Sequence, residues 1–174
     1  MPLTLNDAFV RNCQQLLNSL NGLIDKGEAF AKENGISEEE MVGSKLAEDM
    51  WSLPWHVRSC WVHSAFVLEQ LPSGQFSPDF TVQPHTWDAM REEVKKTQQA
   101  LANIDEAELE ASADKPIAFV LGGKKVFEMS AKDFLLSMSQ PNMYFHTTTF
   151  YDILRMKGVP IGKRDFLGTM RLGG

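Results

Sequence analysis

Apolar residues recur at three- and four-residue steps through most of this chain, the period of helices with one buried face. Phe9, Leu16, Leu20, Leu23, Ile24 and Phe30 form the first stripe, with Cys13 and Leu17 filling it in. The spacing predicts a helix from Thr4 or Asn6 to about Asn34, where Asn34-Gly35 stops it. Gly22 and Gly27 interrupt it, which predicts a bend or a close helix contact. Ser37-Glu38-Glu39-Glu40 has capping-box spacing and opens a short helix that ends near Gly43. Pro54 belongs in the first turn of a second long helix, with Ser52 near its cap, running to about Leu71. After an irregular connection, Gln75 to His85, Thr86 caps a third helix over Trp87 to Ile104. Met90, Val94, Leu101 and Ile104 face inward there, and Arg91, Glu92, Glu93, Lys95 and Lys96 carry solvated charge.

Beyond an acidic spacer, Asp105 to Asp114, the period changes. Ile117 to Leu121, Gly122-Gly123 and Lys124 to Met129 read as a hairpin, since Gly-Gly supplies the positive φ angles a two-residue turn needs. Ser130, with Asp133 three residues on, starts a short helix through Met138. Asn142, after Pro141, is then expected to cap a fourth long helix that Gly158 closes. One stripe of that helix is Phe145, Thr149, Ile153 and Met156, with His146, Phe150 and Leu154 beside it. Four long helices, short extra ones and one hairpin insert are most economically a single domain over 1–174, an all-α four-helix bundle with a long crossover.

At 174 residues and 43% hydrophobic content the chain builds one full core. The formal charge of -6 argues against nucleic acid or an anionic membrane as partner. Met1 to Asp7 lacks a basic region followed by an apolar one, so no secretory signal is expected. Cys13 and Cys60 show no disulfide or zinc-knuckle spacing and read as buried thiols of a reducing cytoplasm.

Candidate chemistry centres on histidine. His56, Cys60 and His63 fall on one face of the second helix, and a bundle could set His146 of the fourth opposite. Imidazoles from facing helices suit a divalent metal, zinc or nickel. They equally suit core histidines bonded to neighbouring side chains. Cys60 four residues from His56 superficially resembles a nucleophile with its base, but no Gly-rich oxyanion turn accompanies it. Gly122-Gly123-Lys124-Lys125 lacks the phosphate-loop pattern. Tyr144, Tyr151 and Arg155 either bind a polar ligand or surround an ion pair from Arg155 to Asp49, Asp152 or Asp165. Trp51, Trp55, Trp61 and Phe66 lie within sixteen residues, as bulky core or as the anchor of a homodimer interface.

Four runs carry a resemblance: Leu46 to Met50, Pro141 to His146, Tyr151 to Arg155 and Gly158 to Gly168. With them the chain is similar, over nearly its whole length, to an uncharacterised microbial domain of unknown function in the DinB/YfiT-like superfamily. The resemblance implies a DinB-like four-helix bundle, commonly dimeric. It also implies a divalent metal held by three histidines, one on the second helix and two spaced i, i+4 on the fourth. His56 and His146 match two of these positions, and Phe150 stands at the third. The triad is therefore broken, and a metal would need His63 or water in its place. Two functions follow: a small-ligand-binding or stress-associated bundle with a degraded metal site around His56 and His146, or a metal-dependent enzyme of thiol-transferase or hydrolase type.

Overall fold

The computed structural model describes residues 3–171. A π-helical turn, Asn6–Val10, leads without a break into α1, Arg11–Glu33, and Thr4 Oγ1 accepts from the Asp7 N–H at 3.0 Å to cap it. Helix α2 is Glu38–Val42, capped as expected by Ser37. Helix α3, Leu53–Trp61, passes through a second π turn, Val62–Phe66, into α4, Val67–Gln70. Helix α5 is Trp87–Ala102, with the Thr86 hydroxyl accepting from the Ala89 N–H. Helix α7, Ala131–Phe134, a third π turn, Leu135–Ser139, and α8, Gln140–Met156, form one unbroken helical run. Helix α9, Lys163–Leu167, closes the chain.

Helix α1 packs on α5 and α8, and α3 packs on the same two, so the four long segments enclose a common core. Leu20, Ile24, Val57, Cys60, Met90, Phe150 and Leu154 lie in it, out of solvent. Gly27 permits the closest approach: a Cβ there would stand 3.0 Å from both the Leu154 side chain and the Trp87 ring. The close contact expected along α1 is at Gly27, whereas Gly22 has open space around it.

Three expectations need correction. The acidic spacer is a helix, α6, Glu106–Ser112, capped by Asp105, and its carboxylates serve α1. Glu110 accepts from the Leu5 N–H at 2.5 Å, and Glu106 from the Asn6 amide at 2.6 Å. The Glu110 carboxylate thus meets unpaired backbone N–H groups at the positive end of this helical run, while Glu106 holds the Asn6 side chain. The fold is mostly helical but not all-α: β2, Pro116–Leu121, and β3, Lys124–Ser130, form the hairpin, and β1, Gln75–Phe76, adds a parallel edge to β2. Gly122 and Gly123 take φ of 57° and 76°, as the two-residue turn requires. Asn142, finally, caps nothing. It sits inside the continuous run, its amide donating to the Met138 carbonyl at 2.8 Å, while Ser130 caps the run's true start. Pro141 is tolerated in mid-run because the wider Leu135–Ser139 turn precedes it.

The tail after Gly158 docks on α1, but not through Arg155. The Ser19 hydroxyl donates to the Asp165 and Phe166 carbonyls at 2.7 and 2.6 Å, and Lys26 pairs with the Asp165 carboxylate. Val159 and Ile161 are buried beneath it.

Candidate functional site

His56 sits in the second turn of α3, fixed because Pro54 and Ser52 set where that helix begins. His146 enters from α8, and both rings are buried. Their Nδ1 atoms lie 3.0 Å apart. His56 Nε2 lies 3.1 Å from the Trp51 carbonyl, which can only accept, so Nε2 carries the proton. His56 Nδ1 is then the acceptor, and His146 donates to it through Nδ1–H. This order requires His56 to be neutral, and both rings are. Burial enforces that, pushing His56 down to about 4. His146 falls to about 3, chiefly by burial and then through the neighbouring His56 and His63.

His63 lies on the Val62–Phe66 π turn, its ring nearly parallel to that of His146 with centroids 6.2 Å apart. Burial lowers it to about 4, and its Nδ1 is enclosed with no partner among the described residues. Three neutral imidazoles therefore gather along the α3–α8 contact. The fourth histidine, His85, is exposed in the loop before α5 and takes no part.

Aromatic rings cover the pair. The Trp51 indole is stacked on His146, with centroids 5.9 Å apart and planes 10° from parallel, and also on Trp55 at 5.2 Å. Phe80 meets both tryptophans edge-on at 5.5 and 5.9 Å. Its loop is tied down by Arg58, which is buried on α3 and donates to Asp79 at 3.0 Å and to Glu93 of α5 at 2.6 Å. The guanidinium also lies 3.7 Å from the centre of the Trp61 ring. Arg58, Asp79 and Phe80 carried no local signal in the sequence, because what they contact lies on other elements.

The remaining candidates lie elsewhere. Tyr144 is exposed, its hydroxyl accepting from Gln140 at 3.3 Å, and half-buried Tyr151 packs edge-on against Phe166 of the tail. Arg155 is exposed and donates to the Val159 carbonyl at 3.2 Å. Among the described residues no ion pair joins it to Asp49, Asp152 or Asp165: the guanidinium donates to the nearby Val159 carbonyl, and Asp165 faces Lys26 instead. Asp49 lies on the exposed 45–52 loop and Asp152 is half-buried on α8. Cys60 is fully buried and its thiol is pushed far up by burial, so no thiolate is available there.

A metal would need a lone pair from each imidazole. Two nitrogens on one tetrahedral zinc stand roughly 3.3 Å apart, given bonds of about 2.0–2.1 Å. The His56–His146 separation is close to that, and a metal there would have to displace the proton the two rings share. One turn after His146 the side chain is Phe150, fully buried and without a donor. No group of three or more His, Cys, Asp or Glu among the described residues is placed to hold a metal ion. The residues present do not fit the three-histidine centre.

The comparisons with known proteins agree with this architecture. The family model described as a domain of unknown function (DUF1993) matches residues 5–167. The chain belongs to that family. Its fold is also that of a crystal structure at 1.83 Å of a DinB family member from Shewanella denitrificans. That protein is 28% identical, with a TM-score of 0.83, over 98% of this chain and 95% of the other. This DUF1993 protein is thus DinB-like, and the comparison with curated proteins finds no match.

Proposed function

We propose that this DUF1993 protein is a four-helix bundle of the DinB type that binds a small molecule at a pocket around His56 and His146. In this reading it has given up the metal of the ancestral site. The observation that supports it is the 3.0 Å Nδ1–Nδ1 hydrogen bond between the two rings, with Phe150 where a third donor would stand. Neutral histidines with depressed proton affinity are poor general bases at pH 7 but serve well as fixed hydrogen-bonding partners. His63, stacked beside His146 with its Nδ1 enclosed, is a further polar group next to the pair.

The test pairs two measurements on tag-free protein. Elemental analysis is expected to find well under one equivalent of zinc or nickel, unchanged in His56→Ala and His146→Ala. Thermal shifts with a small-molecule panel are expected to show ligands that stabilise the wild type and neither variant. A full equivalent of metal lost in His56→Ala contradicts the first half of the reading. A panel that stabilises nothing, or all three proteins alike, contradicts the second.

We propose a homodimer as the assembly and the cytoplasm as the compartment. Exposed Trp51, Phe80 and Phe145 support the first, and two unpaired buried cysteines the second. Sedimentation equilibrium decides the assembly: a mass staying at 19.6 kDa at tens of micromolar excludes the dimer. No helix among the described residues is long and apolar enough to cross a membrane.

A further inference from the structure

The Trp51 indole stacks on His146 and Trp55 and meets Phe80 edge-on, above the histidine pair. It is nevertheless 40% exposed, unusual for a ring with that many aromatic neighbours. The chain that carries it is lightly held. Residues 46–49 are exposed, and among the described residues the loop is closed by a bridge between Lys45 and Ser52 and a turn bond from the Met50 N–H to the Ala47 carbonyl. Besides its ring contacts, it is tied to the site by the Trp51 carbonyl, which accepts from His56 Nε2 at 3.1 Å. The opposite wall is firmer, since the Phe80 loop is clamped by the buried Arg58 through Asp79, whose carboxylate also accepts from the Thr81 N–H and hydroxyl.

We propose that Trp51 is a displaceable plug, and that the site takes a planar aromatic molecule bearing an acceptor oxygen in place of it. The inference rests on the small-ligand reading above and names the class of ligand. Such a molecule reproduces both things Trp51 supplies: a flat ring against His146 and Trp55, and an acceptor for His56 Nε2–H. When the 45–52 loop swings away, nothing else need move. Because the plug occupies the site most of the time, it lowers the apparent affinity of the wild type by the fraction of molecules that are open.

Coumarin, a flat bicyclic lactone, is a suitable probe, titrated by calorimetry. Trp51→Ala is expected to bind it at least tenfold more tightly than the wild type, with Trp51→Phe in between. Adding Trp55→Ala to Trp51→Ala is expected to abolish the gain. Equal binding to the wild type and Trp51→Ala, or none to either, overturns the plug. Circular dichroism establishes that each variant is folded, and Trp51→Phe keeps the test valid should the alanine variant unfold. Reaction of the histidines with diethyl pyrocarbonate separates the two readings. If His146 reacts much faster in Trp51→Ala but coumarin does not bind, the plug proposal alone fails. If His56 and His146 stay unreactive with Trp51 removed, no pocket lies beneath it, and the small-ligand reading fails as well.

Discussion

At the scale of single residues, the buried histidines set how the protein responds to acid. Burial holds His56 and His63 down to about 4 and His146 to about 3, against an ordinary histidine value near 6.5. The unfolded chain therefore binds more protons than the folded one below pH 6.5, and stability falls as pH drops through that window. Above pH 6.5 the contribution is fully present. Each histidine that charges only on unfolding accounts for roughly 3 kcal/mol by pH 4. Urea denaturation from pH 7.5 to 4.5 is expected to show this loss, and a shallower one in His63→Phe. A flat profile would mean the imidazoles are solvated or already charged. Glycine supplies a second contrast. Gly22 and Gly27 look alike in sequence, but Gly27 faces two buried side chains at 3.0 Å and Gly22 faces nothing. Gly22→Ala should stabilise by about 0.5–1 kcal/mol through helix propensity. Gly27→Ala makes the same gain but must push Trp87 and Leu154 apart, at about 1–3 kcal/mol, and should lose stability on balance. Denaturant midpoints of the two variants check the sign.

At the scale of elements, what could be read from the sequence was what local chemistry decides. Thr86 and Ser37 cap helices, Gly122-Gly123 turns a hairpin, and Gly158 ends α8 with φ of 92°, all within reach of their own neighbours. The misreadings have equally local causes. Pro141-Asn142 imitates a helix start, although the chain is already helical from Ala131 and a π turn absorbs the proline. The run Asp105 to Asp114 is rich in acid but lacks an apolar stripe, and only the N-terminus of α1 explains its carboxylates. A matched pair of substitutions tests the corrected boundary. Ser130 accepts from the Asp133 N–H at 3.2 Å as a true cap, so Ser130→Ala should cost about 1 kcal/mol. Asn142→Ala should cost no more than a few tenths, since the backbone there is already paired. Equal losses in urea melts would restore Asn142 as a cap.

At the scale of the whole molecule, the resemblance to DinB-type bundles was carried by scattered runs, and their meaning lay in how α3 and α8 face each other. That facing is tertiary. Sequence spacing put His56 and His63 on one helix but could not show the hydrogen bond from His146, the Trp51 carbonyl that orients His56, or the indole above them. Nor could it show that the Val62–Phe66 π turn leaves His63 stacked parallel to His146. The fold is DinB-like, and at the α3–α8 contact it holds two buried neutral imidazoles joined by a hydrogen bond. Long-range nitrogen–proton NMR of the histidine rings reads that proton directly. His56 is expected as the Nε2–H form and His146 as the Nδ1–H form at pH 7, both unchanged when one equivalent of zinc is added. Loss of the His146 Nδ1–H signal, with both Nδ1 resonances moving to metal-bound positions at one equivalent of zinc, would contradict the account and restore the metal site.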